Sequence, residues 1–243
     1  MKTLTTAIIK GGAGKSTSAA ALAQAAAHEG KKVICIDLDP QANLSSFLGA
    51  DFTKGGSLEV LHGGDPAKYT QTTPQGIDAL IACPDLAAEK TKTGSAKRLQ
   101  AALASLKGYD WLIIDTPPFI GELTYNAIIA AQYLLIPMEP DTNNLQGLYH
   151  LARLTRDLGA TPEMGAILTR YDPRPRLNRY LREQIAIKGE EIGIPLLGAI
   201  RTGIAIKEAQ AHRVSLYDYA PKSKPAEDYM TLYSRLESEL KER

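Results

Sequence analysis

The sequence predicts an α/β fold in which a doubly wound, mostly parallel, twisted sheet carries helices on both faces. Short β-type runs alternate with longer helical segments along the whole chain, which is typical of βαβ units. Several of these runs are nearly continuous in Val, Ile and Leu, as expected for strands buried on both faces. No linker, low-complexity tract or internal repeat divides the 243 residues, so we expect one domain over residues 1–243.

The predicted elements follow in order along the chain. The apolar runs predict seven strands, at residues 4–9, 32–37, 77–82, 111–115, 133–137, 165–169 and 195–200. Helices are predicted over Lys15–His28, which Gly30 ends, and over 96–106, which Gly108 follows, because glycine is common just after a helix C-terminus. A last helix over 226–243 has apolar residues at helical spacing, namely Tyr229, Leu232, Tyr233, Leu236 and Leu240. This spacing predicts a helix that packs on the domain.

Composition excludes several classes of protein. Apolar residues make up 44% and charged residues 23%, the balance of an ordinary globular chain. The net charge of +1 argues against a protein that coats nucleic acid with its whole surface, but leaves room for a local basic patch. Cys35 lies in an apolar run and is expected to be buried and inert, and Cys83 has no CxxC companion. We find no secretory signal, membrane-spanning run or lipidation motif, so we expect a cytoplasmic protein.

A glycine-rich loop joins the first predicted strand to the first predicted helix. It comprises the residues Lys10, Gly11, Gly12, Ala13, Gly14, Lys15, Ser16 and Thr17. Glycines let backbone N–H groups turn toward phosphates, and the helix N-terminus adds a positive dipole end. In a P-loop, Lys15 would neutralise the β- and γ-phosphates of ATP, and the Ser16 hydroxyl would ligate Mg²⁺. A glycine-rich turn without a ligand is the alternative, which the Gly-Lys-Ser order at a helix start disfavours.

The loop departs from the general P-loop pattern at its start. The first glycine of that pattern would fall at Ile9, and a second lysine, Lys10, opens the loop instead. This Lys-Gly-Gly-x-Gly-Lys-Ser variant resembles the deviant Walker A signature of the ParA/MinD family. The resemblance implies a catalytic role for Lys10, which would reach across the interface of an ATP-bound homodimer to the partner's nucleotide. A solvated loop lysine is the alternative for Lys10.

Three aspartates lie at or just after the ends of predicted strands. Asp37 and Asp39 end the second strand, where carboxylates of a parallel sheet lie in the ligand crevice, although Asp-x-Asp-Pro is also a common turn. Asp115 follows four apolar residues and forms a Walker B element. The family resemblance implies that Asp39 positions the attacking water, and that Asp37 and Asp115 act with Ser16 at the magnesium site. Lys10, Lys15 and Asp39 would then be the catalytic residues of a weak, Mg²⁺-dependent ATP hydrolase.

The resemblance covers nearly the whole chain. Matching segments include Phe119-Ile120-Gly121, which resembles the switch II loop, Leu145-Gln146-Gly147-Leu148, and residues 165–172, which resemble the nucleotide-base loop. Segments 200–209 and 219–224 resemble plasmid and mobile-element ParA proteins. These likenesses imply a partition ATPase that binds double-stranded DNA nonspecifically, associates with the nucleoid and works with a ParB-like partner. Because the sequence begins just before the first strand, we expect no N-terminal helix-turn-helix.

Basic residues are concentrated after the sixth predicted strand. A charge run is commonly only a solvated surface, but within this family it favours DNA binding. We therefore expect DNA contacts from four arginines, namely Arg174, Arg176, Arg179 and Arg201.

The main alternative is a MinD-like ATPase that positions a cargo at a membrane. Such a protein would end in a basic amphipathic helix, whereas the polar face of the last predicted helix here is acidic, with Glu227, Asp228, Glu237, Glu239 and Glu242. We therefore expect no membrane partner. A nitrogenase-iron-protein relative would need paired cluster cysteines, and none fit. A tyrosine kinase would carry a terminal tyrosine cluster, whereas the tyrosines here are spaced more like packing residues, namely Tyr217, Tyr219, Tyr229 and Tyr233. A non-enzymatic binding module would require loss of hydrolysis, yet Lys15, Asp39 and Asp115 are all present.

Overall fold

The computed structural model describes residues 1–8, 10–91, 96–141 and 144–240. Ile9, the departure from the P-loop pattern, and residues 241–243 of the last predicted helix lie outside these ranges. The strands are β1 Lys2–Thr6, β2 Val33–Asp37, β3 Gln71–Thr72, β4 Asp78–Leu80, β5 Trp111–Asp115, β6 Tyr133–Met138, β7 Glu163–Tyr171 and β8 Leu196–Arg201.

Helices lie between most of these strands and after the last one. They are α1 Lys15–His28, α2 Asn43–Phe47, α3 Ser57–Leu61, α4 Pro66–Tyr69, α5 Arg98–Leu103, α6 Glu122–Ala130, α7 Asn144–Asp157, α8 Arg176–Glu191, α9 Ala205–His212, α10 Leu216–Tyr219 and α11 Lys224–Glu239, with a 3₁₀ helix at Pro84–Thr91. Helix α1 has the predicted bounds, and Gly30 follows it with a φ of 75°. A side chain is strained at that φ, so glycine suits the position.

Helix α5 is shorter than the predicted 96–106. After Leu103 the backbone N–H groups of Ala104, Ser105 and Leu106 donate to carbonyls three residues earlier rather than four. This tighter bonding is typical of a helix end, and it turns the chain toward Gly108, whose φ is 80°.

The eight strands of the described residues form one sheet in the order β3-β4-β2-β5-β1-β6-β7-β8. Every neighbouring pair is parallel except β3 and β4, so the predicted doubly wound, mostly parallel sheet is confirmed. Strand β3 was not predicted, because two residues carry too little pattern to be recognised. Strands β1, β2, β5 and β6 are buried along their whole length. From β1 the chain adds strands first toward one edge of the sheet, through β2, and later toward the other edge, through β6. At such a change of direction the carboxyl ends of the central strands, here β1, β2 and β5, open into one crevice.

Helices cover both faces of the sheet. Helices α1 and α11 contact each other and form part of one core with β1, β2 and β5. The apolar residues predicted for the last helix are all buried in that core, with Tyr229 only 1% exposed and Leu236 fully buried. The prediction that this helix packs on the domain is therefore confirmed for its described part. Cys35 is buried in β2 as expected. No helix within the described ranges is both long and apolar enough to span a bilayer.

Candidate functional site

The glycine-rich loop connects the centre of the sheet to helix α1. Gly12 and Gly14 have φ values of 74° and 91°, in the left-handed region where other residues are strained. A Cβ atom on Gly14 would also lie 3.3 Å from Cγ2 of Thr169, so the loop packs directly on the end of β7. The Thr169 hydroxyl donates to the carbonyl of Ala13 at 2.9 Å and holds the loop there. The first N–H groups of α1 have no partner within the helix and therefore suit an anion.

Lys15 lies in the interior of this site rather than on its surface. The residue is 6% exposed, and its Nζ atom lies 3.4 Å from the carbonyl oxygen of Lys10. Burial lowers the pKa of Lys15, and the charges of Asp115 and Asp39 oppose that change. The side chain is therefore a desolvated cation whose charge Asp115 and Asp39 favour, and it suits an anionic ligand.

Asp115 ends β5 and has no exposed surface. Its Oδ1 atom accepts hydrogen bonds from the Thr6 hydroxyl and the Thr116 N–H, each at 3.0 Å. Its Oδ2 atom is buried and has no hydrogen-bond partner among the described residues. Burial and the charge of Asp37 raise the pKa of Asp115 to about 8, although Ser16 and Lys15 lower it. A buried carboxylate oxygen without a partner is costly, so this atom fits a bound cation or its water shell.

Asp37 is the register partner of Asp115 on the neighbouring strand. Its Oδ2 atom accepts from the N–H and the hydroxyl of Ser45 at 2.8 and 2.7 Å, and its Oδ1 atom accepts from the Asp39 N–H at 3.0 Å. Burial raises the pKa of Asp37 to about 6, against the effect of these hydrogen bonds. Asp37 therefore holds the start of α2 against the sheet as well as facing Asp115.

A cavity of about 330 Å³ lies over the loop. Its lining includes the loop residues 11–17 together with Asp39, Gln41, Asn43, Phe47, Pro118 and Arg170. Asp39 is 6% exposed, and its Oδ1 atom accepts from the Gln41 N–H at 3.0 Å, which fixes the carboxylate at the cavity wall. The structure thus brings the predicted residues Lys15, Ser16 and Asp39 to one cavity.

Lys10 lies at the edge of this site. Its Nζ atom pairs with Oδ2 of Asp141 at 2.9 Å, and the two side chains are 41% and 38% exposed. Asp141 follows β6 in a segment where the sequence offered no recognisable pattern, so its part in the site was missed. Ser45, which holds Asp37, was missed as well. Thr169 was recognised only as part of the segment 165–172, and its contact with the glycine-rich loop was not predicted.

Three of the four predicted DNA-contact arginines lie at the start of α8. Arg176 and Arg179 are exposed, and Arg174 makes a two-pronged pair with Asp172. Arg201 differs, because its guanidinium pairs with Asp228 at 2.8 Å and with Glu227 at 3.2 Å on α11. These carboxylates balance the charge of Arg201 within the chain, and its predicted role remains a prediction.

One family model and several known proteins match most of the chain. A family model described as an AAA domain matches residues 1–163. The chain is 31% identical over 240 residues to the chromosome-partitioning ATPase Soj of Thermus thermophilus, covering 96% of this chain and 94% of that protein. It is 32% identical over 237 residues to the sporulation initiation inhibitor protein Soj of Bacillus subtilis, covering 92% and 93%.

Two solved structures are similar over most of their length. One is a cobyrinic acid a,c-diamide synthase from Mycobacterium smegmatis with a bound ATP analogue and magnesium, with 30% identity and a TM-score of 0.82 over 97% of this chain and 94% of that one. The other is a putative plasmid partition protein from Borrelia burgdorferi bound to AMPPNP, with 24% identity and a TM-score of 0.86 over 98% and 99%. The second likeness is one of fold.

Proposed function

The chain belongs to the ParA/Soj family of partitioning ATPases, and on this premise we propose that it is an ATP-switched dimer that binds DNA. In this proposal ATP and Mg²⁺ bind at the glycine-rich loop, the ATP-bound chains dimerise, and the dimer binds double-stranded DNA without sequence preference. A ParB-like partner stimulates slow hydrolysis, which releases the DNA. The observation that carries the proposal is the convergence of Lys15, Ser16 and Asp39 on one cavity, together with the Asp115 oxygen that has no hydrogen-bond partner within the described part of the chain.

ATP binding is supported by the loop and by an adjoining pocket. The backbone N–H groups of residues 11–16 and the ammonium of Lys15 would hold the β- and γ-phosphates. A second pocket, of about 180 Å³, begins at Gly14 and Thr17 and extends to Ile206 and Tyr229. Its apolar walls and the amide of Gln210 suit a nucleotide base. The ATP analogue in the mycobacterial relative supports the same ligand class.

The donor set at the end of β5 fits Mg²⁺, which prefers oxygen ligands and keeps several waters. Ser16 would ligate the ion directly, whereas Asp115 and Asp37 would act on its waters. When bound, the ion would neutralise negative charge on the phosphates. Asp39, held by Gln41, would orient the attacking water, and Lys15 would stabilise charge on the phosphate oxygens.

Dimerisation is proposed from the position of Lys10. Its ammonium lies at the edge of the site, 2.9 Å from Asp141, whereas Lys15 occupies the interior. A side chain at this edge can leave its partner and reach a second chain's nucleotide without disturbing the buried residues. We further propose that residues 1–243 act as one ATPase domain, which the single continuous sheet supports.

We propose that the dimer binds DNA rather than a membrane. The apolar face of α11 is buried in the domain core, so this helix has no free apolar face to place in lipid. The exposed arginines at the start of α8, Arg174, Arg176 and Arg179, would contact phosphates, and a dimer would present two copies. Arg201 is retained as a further contact, which requires it to leave Asp228.

Duplex-DNA binding tests this proposal. We expect binding with ATP but not with ADP, and longer-lived binding by Asp39→Ala with ATP, because the ATP state persists without hydrolysis. If the dimer makes roughly 6–10 phosphate contacts, affinity should fall about 10³–10⁵-fold between about 50 and 200 mM salt. Arg176→Ala should weaken binding and reduce the salt slope by about 1.

The matched control for Arg176→Ala is Arg153→Ala, which removes an exposed arginine on α7 and should change neither quantity. ATP-dependent binding to vesicles of anionic lipid, without DNA binding, would contradict the proposal in favour of the MinD-like alternative.

A further inference from the structure

Strand β8 lies at one edge of the sheet. Among the described residues its only strand neighbour is β7. Edge strands commonly carry charged side chains, because their outer row of N–H and C=O groups can otherwise pair with another chain. Five of the six residues of β8 are uncharged, and the single charge is at its last residue, Arg201. The protection of this edge therefore has to come from elsewhere in the fold.

Helix α11 supplies hydrogen-bond partners for two backbone groups of β8. The Arg201 N–H donates to Oδ2 of Asp228 at 2.7 Å, and the Leu197 carbonyl accepts from Nη1 of Arg235 at 3.0 Å. Both bonds are made to side chains and not to a strand. Asp228 and Arg235 thus occupy backbone groups that a further strand would need for its own ladder.

The carbonyl of Leu197 can make this bond because the strand register is irregular there. Ala166 of β7 pairs with Leu196, and the next residue, Ile167, pairs with Gly198, so Leu197 is an extra residue of β8. A bulge leaves its extra residue out of the ladder with the neighbouring strand. The Leu197 carbonyl is bonded by α11 instead.

Both capping side chains are themselves held in place. The Arg201 guanidinium donates from Nη2 to Oδ1 of Asp228 at 2.8 Å and from Nε to Oδ2 at 2.9 Å. The Asp228 side chain is only 15% exposed. Glu239 accepts from Nε of Arg235 at 2.6 Å. Because each side chain has a second attachment, the two backbone groups of β8 stay covered in the folded chain.

Gly198 leaves the surface of β8 open between these two bonds. A Cβ atom at this position would have no neighbour within 4 Å. A glycine inside a strand often marks a place where another backbone approaches closely. Without its caps, the edge would therefore accept another strand with little steric hindrance.

We propose that the edge of β8 is a pairing surface for β8 of a second copy of this chain, and that Asp228 and Arg235 keep it closed. Two copies related by a twofold axis would pair these strands antiparallel, so each uncharged edge would meet its own equivalent. Neither Asp228 nor Arg235 lines the cavity over the glycine-rich loop or the adjoining pocket. This self-association is therefore separate from the ATP-dependent dimer and needs no nucleotide.

Removal of both caps tests the proposal in the absence of nucleotide. The double variant Asp228→Ala with Arg235→Ala should self-associate at least about 10-fold more tightly than the unsubstituted chain, because the uncovered groups gain partners only on association. Arg235→Ala alone should have a smaller effect, since one cap remains. Sedimentation over a range of protein concentrations measures the association. Hydrogen exchange should show added protection of the β8 amides in the associated form.

Gly198→Lys separates strand pairing from a loss of stability. A lysine fits the open space at this position, and pairing of two copies would bring like charges close together. Added to the double variant, it should restore the monomer without restoring the Tm. Glu227→Ala is the matched control, because Glu227 pairs with the Arg201 side chain at 3.2 Å and caps neither of the two backbone groups. This variant should leave the association unchanged.

Three results would overturn the proposal. A double variant as monomeric as the unsubstituted chain would show that the caps do not protect the edge. Association that persists after Gly198→Lys would place the contact elsewhere, as expected for partly unfolded chains. Equal association by Glu227→Ala would assign the effect to lost charge on α11 and not to the backbone of β8.

Discussion

Asp115 shows at the scale of one residue how a binding site opposes stability. The carboxyl is fully buried, one of its oxygens has no hydrogen-bond partner among the described residues, and burial beside Asp37 raises its pKa to about 8. In the unfolded chain the same carboxyl has its ordinary pKa of 3.8. The folded, ligand-free protein therefore loses stability as the pH rises from about 4 to about 8.

Asp115→Asn removes the buried charge with little change of shape. We expect the nucleotide-free variant to be more stable than the original by about 1–3 kcal/mol at pH 9, with a smaller gain at pH 6. The further stabilisation by ATP with Mg²⁺ should be lost. Thermal unfolding with and without these ligands measures both effects. Asp157→Asn, at an exposed pair with Arg153, is the control and should change neither. A less stable nucleotide-free variant at pH 9 would contradict this account.

The sequence predicted the site residues that belong to one local pattern. Lys15, Ser16 and the glycines are recognisable because the loop needs them in a fixed order. Asp37, Asp39 and Asp115 are recognisable because each ends a strongly apolar strand. The contacts of Asp141, Thr169 and Ser45 were not predictable, since they join residues that lie between 8 and 156 positions apart.

At the scale of one element, helix α11 is fixed to the sheet by Glu237. This carboxylate accepts from Lys2 Nζ at 2.7 Å and from the Trp111 indole at 2.9 Å, and it pairs with Lys31 at 3.2 Å. Burial opposes ionisation, but these donors together lower the pKa of Glu237. The stabilisation is therefore present above its ordinary pKa of 4.5 and is lost at more acid pH.

Glu237→Ala should lower the free energy of unfolding by about 2 kcal/mol at pH 7, because it leaves the Trp111 indole without its acceptor and leaves the buried Lys2 only the backbone carbonyl of residue 237. Glu239→Ala on the same helix is the matched control. It removes an exposed pair with Arg235 and should cost about 0.3–0.5 kcal/mol. Urea unfolding compares the two. Equal losses would show that Glu237 has no special role in holding α11.

The elements themselves were largely predictable. Strands such as β2 and β5 are buried on both faces, so their apolar runs are uninterrupted. Helix α1 was predicted with its bounds because glycines lie on both sides of it. The two-residue strand β3 and the early end of α5 were not. Strand β3 is too short to carry a recognisable pattern, and the change to three-residue bonding after Leu103 leaves the helical spacing of apolar residues almost unchanged.

At the scale of the whole molecule, the two lysines of the loop are expected to act at different stages. Lys15→Ala should abolish nucleotide binding, because it removes the buried cation. Lys10→Ala should leave binding by the monomer largely intact and impair dimerisation with ATP. Nucleotide titration and sedimentation measure the two stages. Equal loss of nucleotide binding in both variants would contradict the proposed cross-dimer role of Lys10.

The pair between Lys10 and Asp141 should oppose dimerisation, because Lys10 would have to leave Asp141 to reach the partner's nucleotide. Asp141→Asn weakens that pair, and we expect ATP-dependent dimers to become about two- to five-fold tighter, as befits an exposed ion pair. Asp172→Asn, which removes the partner of Arg174, should have no such effect in the absence of DNA. Unchanged dimer affinity in Asp141→Asn would show that Lys10 is not restrained by this contact.

The central position of β1 has a consequence for synthesis on the ribosome. Although β1 is made first, its sheet neighbours are β5, through pairs such as Lys2 with Trp111, and β6, through pairs such as Leu4 with Tyr133. A nascent chain must therefore extend beyond Trp111 before its first strand gains any neighbour. The phosphate loop stays without its native support until then, so nucleotide cannot assist the earliest stages of cotranslational folding.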